Sequence, residues 1–162
     1  MSAVYVLVGL VAYLLGSVNL SIILSKLMGK GDIREHGSGN AGTTNTLRTL
    51  GKLPAVAVLL WDILKGVIAV LLGKWIITIG NGEVKPDILA TYRDYAMVLS
   101  SIFAVLGHNF PLYFGFRGGK GVATSLGVII AMEWPIAVAC FVFAVVMILT
   151  TRMVSVGSIL VA

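Results

Sequence analysis

The run Leu53–Leu72, LPAVAVLLWDILKGVIAVLL, decides what kind of fold this is. A helix needs about 20 apolar residues to cross a bilayer core about 30 Å thick, and this run supplies them. Only Asp62 and Lys65 interrupt it. Three positions apart, they share one face of a helix. An ionisable side chain inside a span is costly and turns towards protein or a wet cavity. Two readings follow: a mutually satisfied ion pair that fixes helix packing, or, for Lys65, a cation that serves an anion site.

The rest of the chain is built the same way. Its 162 residues are 58% hydrophobic and 12% charged, where a soluble domain has about 25% charged residues. Mean hydropathy is +1.00. These values exclude a soluble enzyme, a multidomain protein and a disordered chain. The length holds roughly five or six spans. Val4–Leu27 is the first, too long and too poor in preceding cations for a signal peptide. Gly16, Ser17, Asn19 and Ser21 mark its second half as packed against protein. After the Leu53–Leu72 span, a polar stretch, Gly73–Asp94, leads to a third run over about Tyr95–Gly107, which must start near Ile88 to be long enough. Gly121–Met132 is the fourth. Glu133-Trp134-Pro135 breaks it, with Pro135 at the start of the next helix, and Ile136–Leu149 is the fifth. Val154–Ala162 begins a sixth run, too short to cross. The expected fold is therefore all-α, a polytopic integral membrane helix bundle of about five spans plus the start of a sixth. Residues 1–162 form one membrane-embedded domain, read as truncated at its C-terminal end.

The formal charge of +5 is not a nucleic-acid footprint, because the cations sit in short loops between apolar runs. With the N-terminus outside, the inner loops hold Lys26, Lys30, Arg34, Arg48, Lys52, Arg117, Lys120 and Arg152. The outer side holds Lys74, Lys85 and Arg93, offset by Glu83, Asp87 and Asp94. Positive residues favour the cytoplasmic side, so the glycine-rich loops are expected there. Trp75 and Trp134 then mark the outer interface or simply pack. Cys140, the single cysteine, excludes an internal disulfide and is read as a packing residue.

Two loops carry the chemistry. The first is His36-Gly37-Ser38-Gly39-Asn40-Ala41-Gly42-Thr43-Thr44-Asn45, followed by Arg48. Glycines at this density turn successive N–H groups into one concavity. Ser38, Thr43 and Thr44 add hydroxyls, Asn40 and Asn45 add amides, and Arg48 adds a forked cation suited to phosphate. Gly37–Gly42 satisfies G-x-G-x-x-G, but a membrane span precedes it where a dinucleotide site needs a strand. The second loop runs Gly107-His108-Asn109-Phe110-Pro111 and then Phe116-Arg117-Gly118-Gly119-Lys120-Gly121-Val122-Ala123-Thr124. Gly121 stands where a P-loop has Ser or Thr, which argues against nucleotide hydrolysis. Lys120 at the start of a helix still favours an anion; the alternative is a lysine that snorkels to headgroups.

His108 either performs acid–base work or orients its loop through a hydrogen bond. His36 reads as a solvated loop residue. Neither histidine opens an H-x-x-x-x-D acyltransferase motif, since Ala41 and Tyr113 hold the offset position. There is no G-x-S-x-G elbow, and no paired histidines, H-E-x-x-H or carboxylate cluster suggests a metal.

On both loops the sequence resembles the bacterial acyl-phosphate:glycerol-3-phosphate acyltransferase family. Asp62-x-x-Lys65-Gly66 and Thr151-Arg152-x-x-Ser155-x-x-Ser158 look like family segments too. Relatives continue into a further helix and a third motif, and commonly have proline where Asn19 stands. The resemblance implies an enzyme of the bacterial cytoplasmic (inner) membrane with its active site facing the cytoplasm. It moves a fatty acyl group from acyl phosphate to the 1-hydroxyl of glycerol 3-phosphate, giving lysophosphatidic acid and phosphate, and it implies no cofactor. It also implies that Ser38 and Arg48 belong to the first motif's site and that Lys120 and its glycines bind phosphate. The catalytic candidates are Ser38, Arg48, Lys120 and His108, with either His108 or the substrate's own phosphate as the base. Substrate contacts fall to Gly37, Gly39, Asn40, Gly42, Thr43, Thr44, Asn45, Lys65, Asn109, Gly118, Gly119, Gly121, Thr124, Ser155 and Ser158. The competing functions are a small anion or phosphate transporter or channel component, and a non-catalytic membrane assembly partner. The sequence fixes no oligomeric state.

Overall fold

A computed structural model describes residues 2–81 and 84–151. They form seven α-helices and no strand. These are α1 (Ser2–Gly16), α2 (Leu20–Leu27), α3 (Thr43–Leu50), α4 (Lys52–Gly80), α5 (Pro86–Asn109), α6 (Val122–Met132) and α7 (Trp134–Thr151). Four stretches are long and apolar enough to cross a membrane: Ala3–Leu27, Lys52–Gly80, Pro86–Phe114 and Trp134–Thr151. At about 1.5 Å per residue, α6 is only about 16 Å long, too short to cross alone. The expected fourth span is thus a short apolar helix packed on α4.

Three boundaries differ from the sequence reading. The first run is two helices, because Ser17, Val18 and Asn19 leave helical geometry and Asn19 caps α2, its Oδ1 accepting from Ile22 N at 3.3 Å. The second span does not stop at Leu72. Helix α4 continues to Gly80 through Lys74, an exposed cation at the helix surface that does not interrupt the apolar face. The third begins at Pro86, where proline suits the first helical turn. The polar half of the first run is buried as expected, with Ser17, Asn19 and Ser21 shielded from the surface.

Small residues let the helices touch at backbone distance, the usual basis of membrane helix packing. A Cβ on Gly107 of α5 would come within 2.9 Å of Ser17 N at the end of α1, and one on Gly66 of α4 within 3.0 Å of Val128 N in α6. Helices α1, α4 and α5 pack on one another, and α7 packs chiefly on α6. This frame puts the α2–α3 loop and the α5–α6 loop at the same end of the bundle.

Candidate functional site

The two glycine-rich loops meet. A Cβ on Gly119 would come within 2.6 Å of the Ala41 carbonyl oxygen, so the second loop presses its backbone onto the first. Asn19 reaches the same carbonyl from the α1–α2 break, its Nδ2 donating at 3.3 Å. Asn19 therefore ties the helix break to the first loop.

Each loop is fixed from within. Asn45 is buried and holds the first loop: its Oδ1 accepts from Ser38 N at 2.9 Å, and its Nδ2 donates to the carbonyls of Ile33 and His36. Its amide oxygen and both amide protons are thus engaged within the first loop. In the second loop, Gly118 N donates to Asn109 O at 3.0 Å and Gly119 N to His108 O at 3.1 Å. Leu112 N donates to Ser17 Oγ, and Tyr13 Oη donates to Phe110 O, which docks this loop on α1.

A clamp invisible in the sequence joins the two. Arg34 Nη1 donates to the carbonyls of Phe114 and Arg117, both at 2.6 Å. Asp32 grips the other side of the guanidinium, with Nε donating to Oδ1 at 2.9 Å and Nη2 to Oδ2 at 2.6 Å. That hydrogen-bonded guanidinium lowers the Asp32 carboxyl to about 2, and the same contact raises Arg34. Such forked pairs are among the stronger and most directional polar contacts. No motif announced Asp32 or Arg34; the only signal was an Asp-x-Arg spacing just before the glycines.

The open part of the site lies at two helix starts. Neither α3, which follows Gly42, nor α6, which follows Gly121, has a side-chain cap. First-turn N–H groups without an intrahelical partner favour an anion. Each first turn also carries a buried hydroxyl with no hydrogen-bond partner, Thr43 Oγ1 and Thr124 Oγ1, and Asn109 Oδ1 beside Gly121 is likewise unpartnered. Buried polar atoms are normally satisfied; among the described residues Ser25 Oγ and Asp62 Oδ1 are the other buried side-chain atoms without a hydrogen bond. Ser38, Gly37, Gly39, Arg48 and Lys120 are exposed, Asn40 and Thr44 partly so.

Lys65 is not among these open groups. It is fully buried, with its Nζ 2.7 Å from Asp62 Oδ1, 2.9 Å from His108 Nδ1 and 3.1 Å from the Val18 carbonyl. The expected ion pair with Asp62 forms, and two of the ammonium protons go to the Val18 carbonyl and His108 Nδ1. His36 is exposed as expected, with Nε2 against the Lys30 carbonyl. Ser155 and Ser158 lie outside the described residues.

With this geometry in place, the comparisons with known proteins are decisive. The family model for glycerol-3-phosphate acyltransferase matches residues 6–162. The chain belongs to that family. It is 50% identical over 149 residues to the glycerol-3-phosphate acyltransferase of Halalkalibacterium halodurans, covering 92% of this chain and 66% of the relative. The Clostridioides difficile enzyme of that name is 43% identical, over 96% of this chain and 72% of its own length. The chain thus spans about two thirds of these relatives. Among solved structures, it superposes with a TM-score of 0.81 and 38% identity on PlsY (YgiH), an integral membrane glycerol 3-phosphate acyltransferase, in its glycerol 3-phosphate form. That match covers 97% of this chain and 72% of PlsY. The lysophosphatidic acid form of the same protein matches with a TM-score of 0.77 and 37% identity. The helix bundle is accordingly that of an integral membrane protein.

Proposed function

We propose that this chain carries the anion-binding heart of an acyltransferase that moves a fatty acyl group from acyl phosphate to the 1-hydroxyl of glycerol 3-phosphate. The observation that carries the reading is the contact of Gly119 with the Ala41 carbonyl, which makes one site of two loops rich in phosphate-binding groups. The solved relative in its glycerol 3-phosphate form supplies the acceptor. The donor follows from chemistry. An acyl phosphate is already activated, its phosphate leaves readily, and its tail suits a site at the rim of an apolar bundle.

The acceptor hydroxyl attacks the carbonyl carbon, the new ester bond forms, and the bond from that carbon to the phosphate oxygen breaks. Phosphate departs with the electron pair, and the hydroxyl proton ends in solution or on phosphate. Lys120, Arg48 and the first-turn N–H groups of α3 and α6 stabilise the charge that grows on the departing phosphate and the carbonyl oxygen. Ser38, Asn40, Thr43, Thr44 and Thr124 add hydrogen bonds that hold both headgroups. Charge-assisted bonds contribute about 1.5–3 kcal/mol each, and holding two reactants in line removes roughly 7–11 kcal/mol of barrier. No covalent enzyme intermediate is needed.

The site faces the cytoplasm of a bacterial inner membrane. The loops that meet here and the helix ends that flank them hold seven cations, Lys26, Lys30, Arg34, Arg48, Lys52, Arg117 and Lys120, and segments so rich in cations stay inside. The test is to reconstitute the protein with acyl phosphate and labelled glycerol 3-phosphate. Labelled lysophosphatidic acid with release of phosphate supports the reading, and acyl-CoA in its place yields none. Phosphate flux across the proteoliposome without ester formation contradicts the reading and favours a transporter.

A further inference from the structure

Lys65 is pinned from three sides by Asp62 Oδ1, His108 Nδ1 and the Val18 carbonyl. That carbonyl belongs to the break between α1 and α2, and Trp61 Nε1 donates to the same oxygen at 3.0 Å. An ammonium has three protons and no lone pair, so across 2.9 Å the His108 Nδ1 can only accept. The competing partner, Asp62 Oδ1, is 3.4 Å from the same nitrogen, outside the range of a good N–H···O bond. A proton on Nδ1 would also press against the ammonium. A neutral imidazole that accepts at Nδ1 carries its proton on Nε2. That second nitrogen has no hydrogen bond to any described residue, and it stands over the α-carbon of Gly119 in the Gly118–Lys120 turn.

We propose that Lys65, braced by Asp62 and the Val18 carbonyl, is a positioning residue that fixes His108 as an Nε2–H hydrogen-bond donor to the oxyanion of the acyl donor, and not as a general base. The lone pair that a base requires is already given to Lys65. The donor role rests on the acyl-transfer reading above; the tautomer does not.

His36→Gln leaves His108 as the only histidine, and nitrogen-15 NMR of that histidine-labelled protein in nanodiscs then reads the ring directly. The expected spectrum is that of the Nε2–H tautomer. Adding Lys65→Met moves the proton to Nδ1, towards Asp62. An Nδ1–H or doubly protonated ring with Lys65 in place overturns the proposal, as does an Nε2–H ring that persists without Lys65. Activity separates donor from base, because a carboxamide donates a hydrogen bond but takes up no proton. His108→Gln keeps acyl transfer within about fivefold, while His108→Ala lowers kcat at least about tenfold with KM for glycerol 3-phosphate unchanged. Equal losses in the two variants overturn the donor role. Absence of transfer by the parent protein sinks the acyl-transfer reading alone, since the nitrogen spectrum still decides the tautomer.

Discussion

Gly119 lies so close to the carbonyl oxygen of Ala41 that a single added methyl group would stand 2.6 Å from it. The imidazole of His108 occupies the other side of the same small space. Two loops about 80 residues apart in sequence are thereby held at one backbone junction, on which the proposed anion site depends.

Gly119→Ala therefore separates the loops and reduces acyl transfer at least about tenfold, equivalent to about 1.4 kcal/mol of transition-state stabilisation. Gly29→Ala is the control, since its Cβ meets nothing within 4 Å. It costs only about 1–2 kcal/mol of local backbone strain and leaves turnover near that of the parent protein. Steady-state assays of both variants check this.

Breaking the Asp32–Arg34 clamp loosens the second loop. Arg34→Lys retains the charge but loses the fork that spans Asp32 and the Phe114 and Arg117 carbonyls. Hydrogen exchange at the backbone amides of 112–119 quickens in this variant, and turnover falls with it.

The same clamp has a pH signature. Asp32 in the folded protein sits at about 2, below its ordinary value of about 3.9. Its contribution to stability is complete above the ordinary value and is lost as pH falls through about 4 towards about 2. Thermal unfolding of parent and Asp32→Asn is expected to differ at pH 6 and to converge as pH approaches about 2.

Asp62 and Lys65 are mutually dependent. Removing one partner of a buried pair costs about 3–5 kcal/mol because the other charge is left uncompensated. Asp62→Ala and Lys65→Ala each lower thermal stability in detergent sharply, and the double variant loses less than the two together.

Much of this was legible in the sequence. The apolar runs gave the all-helical membrane bundle, the i,i+3 spacing of Asp62 and Lys65 gave their ion pair, and the glycine-rich loops gave two segments that the fold brings together. What escaped depended on neighbours distant in the chain. Gly73, Lys74 and Gly80 look like a loop, yet the residues between are apolar and α4 carries on through them. Asn19 reads only as a residue of a protein-packed helix half, and its bond to the Ala41 carbonyl lies beyond the sequence. Lys65 reads equally as an ion-pair partner or as a cation for an anion site, and its contacts with the Val18 carbonyl and His108 could not be read from spacing. Asp32 and Arg34 belong to no motif, because their partners are backbone carbonyls 80 and 83 residues further on.

Whether the loops serve one pocket is tested most directly by kcat/KM for acyl phosphate in Arg48→Ala, Lys120→Ala and the double variant. Each single change is expected to lower it at least about tenfold, and the double variant to lose less than the product of the two, as groups acting on one oxyanion do. Unchanged turnover in both single variants, or losses that simply multiply, would contradict a shared site.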